Sequence, residues 1–154
     1  MNLEPDDQTV RDTLMIMTVL SRVGRYGDEK KWEEHQRLFT DKITVDFGHV
    51  KPPEITSSQA IKEWAYRAYK GVNTLHLLTN MDVQVNGDKA VVASSGLSRH
   101  KRIDTKEFWN IYSFYEHELI RTPEGWKVTR LKMVPIFQEG NEHLLEETYA
   151  LTQP

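Results

Sequence analysis

Four long segments rich in β-branched and aromatic residues follow one another in the second half of the chain: LHLLTNMDVQV, KAVVASSGLSRHKR, EFWNIYSFYEHELIRT and GWKVTRLKMVPIF. Asn86-Gly87 parts the first two, and Pro123-Glu124-Gly125 parts the last two. Asn-Gly between alternating apolar residues is the strongest short hairpin signal. A succession of this kind has one economical fold, an antiparallel meander with one face covered by whatever precedes it.

What precedes it has helical spacing. In DDQTVRDTLMIMTVLSRVGRYG the residues Val10, Leu14, Met17, Leu20 and Val23 recur on one face, with Asp6, Asp7 and Thr9 as N-caps and Gly24 and Gly27 as breakers. Trp32, His35, Leu38 and Phe39 predict a short second helix. KITVDF alternates Ile43, Val45 and Phe47 as a strand, which Pro52-Pro53 stops. TSSQAIKEWAYRAYKG predicts a third helix that buries Ile61, Trp64, Ala65, Ala68 and Tyr69. Residues 138–154 predict a tail or short helix. The expectation is an α+β single domain over residues 1–154, its N-terminal helices packed on a strongly curved, mixed, mainly antiparallel sheet that encloses one pocket.

Composition narrows the partners. A formal net charge of −3 lacks the basic excess of a nucleic-acid binder. With no cysteine there is no disulfide, thiol nucleophile or thiolate metal site. The start, MNLEPDDQTV, has no signal-peptide pattern, and no apolar run approaches the roughly 18 residues of a membrane span. A cytoplasmic protein with no membrane partner is expected.

Strand parity assigns side chains to faces. One face of the third long strand carries Trp109, Ile111, Ser113, Tyr115, His117 and Leu119, a mixture of apolar walls and hydrogen-bonding groups suited to a ligand cavity. The opposite face carries Tyr112 and Phe114 among charges, which suits contact with another subunit. In the strand before it, His100 shares a face with the small residues Ser94, Gly96 and Ser98; His76 shares one with Leu78 and Asn80. Asp28 stands alone between a glycine and Trp32, where one helix ends and the next has not begun. Asp28, His76 and His100 are therefore expected to meet in the cavity, with Trp109 as the tryptophan that reaches it. The plainer readings are an Asp28 bonded to nearby backbone, a satisfied core histidine at 76, and an exposed strand end at 100. His76, His100 and His117 lack a compact ligand spacing, so no metal and no cofactor is expected.

Between Val10 and Phe137 the chain resembles the SnoaL-like branch of the nuclear-transport-factor-2-like superfamily, and within it scytalone dehydratase. The resemblance rests on D-x-x-x-W after the first helix, the VDF strand, LHLLTN, the Asn-Gly hairpin and IRTPEGWKV. It implies a cone-shaped α+β barrel and a dimer or trimer. Carried over by position, the dehydratase's acid falls on Asp28, its two histidines on His76 and His100, and its pocket serine on Ser113. The tyrosine before the acid is Gly27 here, with Tyr26 one place away; the first-strand tyrosine is Phe47 and the pocket asparagine is Tyr115. In the dehydratase those two tyrosines hold a water on the substrate carbonyl. Their replacement implies a different substrate, with Tyr115 offering a phenol from another wall.

An Asp–His pair divides the labour of α-proton abstraction: the imidazole takes the proton and the carboxylate fixes its tautomer. His100 or Tyr115, with Ser113, would hold the developing oxyanion or protonate a departing hydroxyl. The reading is a cofactor-independent, dehydratase-like lyase acting on a small, apolar, oxygenated ring compound such as a polyketide or terpenoid intermediate. Catalysis is expected from Asp28, His76 and His100, and substrate contact from Tyr26, Phe47, Trp109, Ser113 and Tyr115. An isomerase or cyclase using the same site, or a non-catalytic ligand-binding or structural subunit, are the alternatives.

Overall fold

A computed structural model describes residues 4–48 and 52–152; the first three residues, and the last two of the expected tail, lie outside the described residues. Helix α1 (Asp7–Asp28) is capped by Asp6, whose carboxylate accepts the Thr9 N–H at 2.7 Å. It passes through Gly24 and Gly27 without a break, so the expected breakers are interior residues. A Cβ on Gly24 would stand 3.3 Å from the carbonyl oxygen of His76, and Gly27 faces the His35 ring. The glycines let the helix lie close against the following elements, at a helix-propensity cost of about 1 kcal/mol each.

The buried stripe of α1 is Asp12, Ile16, Leu20 and Gly27. Val10, Leu14 and Met17, expected inside, are exposed, Leu14 by 62%. The rotation follows from Asp12. Arg121 grips its carboxylate with two hydrogen bonds of 2.8 Å, and Trp126 Nε1 adds one at 3.2 Å. A carboxylate satisfied this fully can be buried, and it turns the neighbouring apolar residues outward.

Helix α2 (Trp32–Gln36) leads into β1 (Phe39–Asp46). A bulge between Phe39 and Thr44 breaks the expected alternation, burying Phe39, Ile43 and Asp46. Phe47 lies just past the strand and is half-buried. A short strand that the sequence pattern did not announce, β2 (Glu54–Ser57), pairs antiparallel with β1. Ser57 then caps α3 (Ser58–Ala68), accepting the Ala60 N–H at 3.0 Å.

The meander consists of β3 (Val72–Asn86), β4 (Lys89–Arg102), β5 (Phe108–Thr122) and β6 (Gly125–Gly140). The six strands form one mixed sheet in the order β2-β1-β6-β5-β4-β3, in which only β1 and β6 run parallel. The sheet stays open, with β2 and β3 at its edges, and α1 packs along β3. Asn86 pairs with Lys89, so the hairpin loop is Gly87-Asp88, with Gly87 at φ 60°. A bulge between Thr79 and Asp82, with Asn80 at φ 53°, shifts the parity of β3. Asn80 is consequently exposed, and the inward series continues through Met81, Val83 and Val85.

Residues 138–140 of the expected tail belong to β6, and within the remainder Leu144–Leu151 form α4. Leu144 and Leu145 pack on Ala68 and Val72, and the Thr148 hydroxyl donates to the Ala68 carbonyl at 2.6 Å. This second cluster, with Tyr69 and Trp109 packed against it, closes one end of the space between helices and sheet. Among the described residues, no helix is long and apolar enough to cross a membrane.

Candidate active site

Asp28 is the last residue of α1. The C-terminal end of a helix carries partial negative charge and disfavours a carboxylate, so its partners have to compensate. They do so with three hydrogen bonds. Thr74 Oγ1 donates to Oδ1 at 2.8 Å, the His76 backbone N–H donates to Oδ2 at 2.9 Å, and His76 Nδ1 donates to Oδ1 at 2.6 Å. Strand β3 lies at the sheet edge, where outward N–H groups lack strand partners; Asp28 satisfies one of them. Burial pushes the Asp28 carboxyl up, but the His76 ring, the His76 backbone N–H and Thr74 outweigh it, leaving the group below its ordinary value.

A carboxylate only accepts, so the Nδ1 of His76 carries the hydrogen and Nε2 keeps its lone pair. His100 is fixed in the same tautomer by a different acceptor, since its Nδ1 donates to the Trp109 carbonyl at 3.0 Å. The two imidazoles meet edge to face, with centroids 5.6 Å apart. Burial, followed by the charge of His76, brings His100 down to about 4. His100 is therefore neutral at neutral pH, and its free nitrogen is an acceptor.

A column of aromatic rings backs the pair. Trp109 stacks on His100 at 4.7 Å, Tyr69 lies parallel to His100 at 5.9 Å, and Trp32 lies parallel to Tyr69 at 6.0 Å. Trp109 Nε1 is engaged with Gln138 at 2.8 Å.

The sheet supplies the remaining wall. Ser98 stands opposite His76 across β3 and β4, and its hydroxyl is 3.4 Å from that of Tyr115. The Tyr115 ring crosses Gly96, where an added Cβ would lie 2.2 Å from the ring. Ser94 and Ser113 flank it, and His117 stacks on it at 5.8 Å. The buried Ser94 Oγ, Ser113 Oγ and His117 Nδ1 have no hydrogen-bond partner among the described residues. Burial raises the Tyr115 phenol, although Ser98 opposes it, and lowers His117 to about 4.

Of the residues expected from sequence, Asp28, His76, His100 and Trp109 form a chain of successive contacts, and Ser113 and Tyr115 lie on the same inner face. Tyr26 is elsewhere: it packs on the core side of α1, with the Lys31 ammonium 5.7 Å above its ring. No group of three ligating side chains that could hold a metal ion occurs among the described residues.

Two residues escaped the sequence reading. Tyr69 contacts both histidines, and His35, beside Gly27, is lowered to about 4 by burial and by the charge of His76. Both fall in apolar helical stripes of the sequence. The usable signal for Tyr69 was its position just before the strand that carries His76. A groove of about 990 Å³ lies outside the pair, lined by Trp32, Lys62, Trp64, Arg67 and Tyr149 among others. Trp32 and Trp64 both contact Tyr69, which stands between that groove and the histidines.

Residues 8–132 match the model of the SnoaL-like domain family. The Kfla4162 protein from Kribbella flavida is 25% identical, with a TM-score of 0.81, covering 92% of this chain and 99% of that one. A proposed scytalone dehydratase from Novosphingobium aromaticivorans is 18% identical with a TM-score of 0.79, over 88% and 91% of the two chains. A type 2 hexachlorocyclohexane dehydrochlorinase is 15% identical with a TM-score of 0.73, over 86% and 90%.

Proposed function

We propose that this chain, which belongs to the SnoaL-like family, is a cofactor-independent lyase that uses the Asp28–His76 pair to remove a proton next to a carbonyl of a small, apolar, oxygenated ring compound. The observation that carries this reading is the 2.6 Å contact between His76 Nδ1 and Asp28 Oδ1. It commits Nδ1 as the donor and leaves Nε2 as the base, while the carboxylate stabilises the imidazolium that forms. Nε2 takes the proton, the C–H electron pair moves toward the carbonyl, and charge gathers on its oxygen. Loss of a β-hydroxyl then completes a dehydration. The names of two structural neighbours, a dehydratase and a dehydrochlorinase, both describe eliminations. Isomerisation and cyclisation start with the same proton transfer.

The other groups divide by what they can give. Tyr115 and Ser113 have hydrogens to donate to an oxygen. His100 is neutral and its N–H already serves Trp109, so it accepts a substrate hydroxyl and does not act as the acid. A polyketide or terpenoid ring suits these aromatic walls. The outward face of the sheet, where Leu77, Leu97, Tyr112 and Phe137 lie in one cross-strand row, binds a second copy of this chain in the same reading.

The test needs no knowledge of the natural substrate. Deuterium exchange at the α-carbon of 2-tetralone, followed by proton NMR in D2O, reports the base directly. Wild type is expected to accelerate exchange, and Asp28→Asn and His76→Ala to lose about 10²-fold or more with the fold retained. Exchange at the wild-type rate in both variants overturns the assignment.

A further inference from the structure

We propose that the phenol of Tyr69 is a catalytic hydrogen-bond donor, meeting the substrate oxygen on which charge develops when His76 removes the proton. The inference rests on the proton-abstraction reading above and adds to it a residue from a third element, the end of α3.

The geometry places this side chain with unusual definition. Tyr69 is the C-cap residue of α3. Its ring meets His76 edge-on, with centroids 6.2 Å apart and planes at 79°. It lies parallel to both His100 and Trp32, with interplanar angles of 10° in both cases. Trp64 closes a fourth side at 5.9 Å and 79°. Rings on this many sides leave the tyrosine little freedom to rotate away.

The hydroxyl is treated differently from the ring. It has no hydrogen-bond partner among the described residues, although the hydroxyls of Tyr112, Tyr115 and Tyr149 all have one. Burial, then the charges of Tyr115 and Asp28, hold the Tyr69 phenol above its ordinary range. The group therefore remains an O–H beside the acid–base pair, in a setting where donors act most strongly.

Its role completes the balance of the step. The C–H bond breaks as the new N–H bond forms on His76 Nε2. The released pair becomes the C–C π bond of an enolate, and the former carbonyl π pair resides on oxygen. Tyr69 donates a hydrogen bond to that oxygen and keeps its own proton. Two donors nearest the pair are committed: the His100 N–H serves Trp109 and the Thr74 hydroxyl serves Asp28. The flat rings of Trp32, Tyr69, His100 and Trp109 favour a planar, conjugated ketone as the substrate class.

The experiment is Tyr69→Phe, which keeps the ring and deletes the donor. Two readouts are used: α-exchange of 2-tetralone, and binding of 2-naphtholate as a stable mimic of the enolate. Removing one such donor is expected to lower the exchange rate at saturation about 10²-fold, with apparent KM and thermal midpoint nearly unchanged. Naphtholate affinity is expected to fall about tenfold. Unchanged exchange and unchanged naphtholate affinity in Tyr69→Phe overturn the proposal, even when Asp28→Asn confirms the base. If wild type binds naphtholate through Tyr69 but exchanges no faster than buffer, the donor stands and the base assignment falls. If wild type shows neither property, both fall.

Discussion

Gly24 faces the backbone of His76 so closely that an added methyl would stand 3.3 Å from the carbonyl oxygen and 3.4 Å from Cβ of that histidine. The same helix delivers Asp28 to the His76 ring one turn later. Close approach at residue 24 and the short contact at residue 28 are thus parts of one packing arrangement. Gly24→Ala tests the link. Alanine gains about 1 kcal/mol of helix propensity, which opposes the cost of moving the helix off the strand. Stability measured by urea unfolding is expected to change by less than about 1 kcal/mol. Exchange activity is expected to fall at least about tenfold, because the carboxylate–imidazole contact lengthens. Full activity would show that the helix position does not control the pair.

Tyr115 lies across the backbone of β4 in space that only a glycine provides. With a Cβ at residue 96 placed 2.2 Å from its ring, Gly96→Ala has to displace the phenol. Overpacking of this kind costs about 1–3 kcal/mol. The double variant Gly96→Ala/Tyr115→Ala is expected to cost less than the sum of the two single ones, since the clash disappears with the ring. Additive urea midpoints would place the ring elsewhere.

These two glycines also show what the sequence could and could not express. The meander was readable because alternation persists over four long strands, and parity alone put His100, Ser113 and His117 on the inner face, where they are buried. His76 followed from the same logic, whereas Asp28 was singled out by its isolated place between Gly27 and Trp32. A bulge defeats parity, and Asn80 was misplaced for that reason. The face of α1 was misread because its buried stripe is anchored by a charged residue, Asp12, whose partner Arg121 is 109 positions away. Strand β2 is short and mostly exposed, so it carried no apolar signal. Tyr69 fits an apolar helical stripe equally well whether its hydroxyl is idle or used. Gly24 looked like a stop signal because nothing local reveals that another strand will press against it.

Three buried histidines give the fold a calculable acid sensitivity. His35, His100 and His117 are each lowered to about 4, burial being the largest cause in every case, against about 6.5 for a free imidazole. Between those values the native rings stay neutral while the unfolded chain takes up protons. The unfolded state then binds more protons, so stability is complete above about pH 6.5 and is lost as pH falls toward about 4. The urea midpoint is expected to drop clearly between about pH 7 and about pH 5. His117→Asn, which removes one of the titrating rings, is expected to reduce that drop. A midpoint independent of pH over this interval would contradict neutral burial of the three.

Leu77 follows His76 directly, and strand geometry turns the two side chains to opposite faces. His76 points toward helix α1 and Asp28, while Leu77, 44% exposed, points out of the sheet. Leu97, Tyr112 and Phe137 continue its row, the last two with rings stacked at 4.2 Å, and Phe114, 58% exposed, lies one row away. Open apolar surface of this extent on a sheet calls for cover, and under the proposed self-association a second copy presenting the same face would supply it. Leu77→Glu with Phe114→Glu places like charges at such a contact, where they oppose association. In sedimentation experiments wild type is expected to be a dimer or trimer and the double variant a monomer. Because both changes lie on the face away from the Asp28–His76 pair, α-exchange of 2-tetralone is expected to persist in the monomer. A monomeric wild type would remove this face as a self-association surface, and loss of exchange in a folded monomer would mean that the site depends on its neighbour.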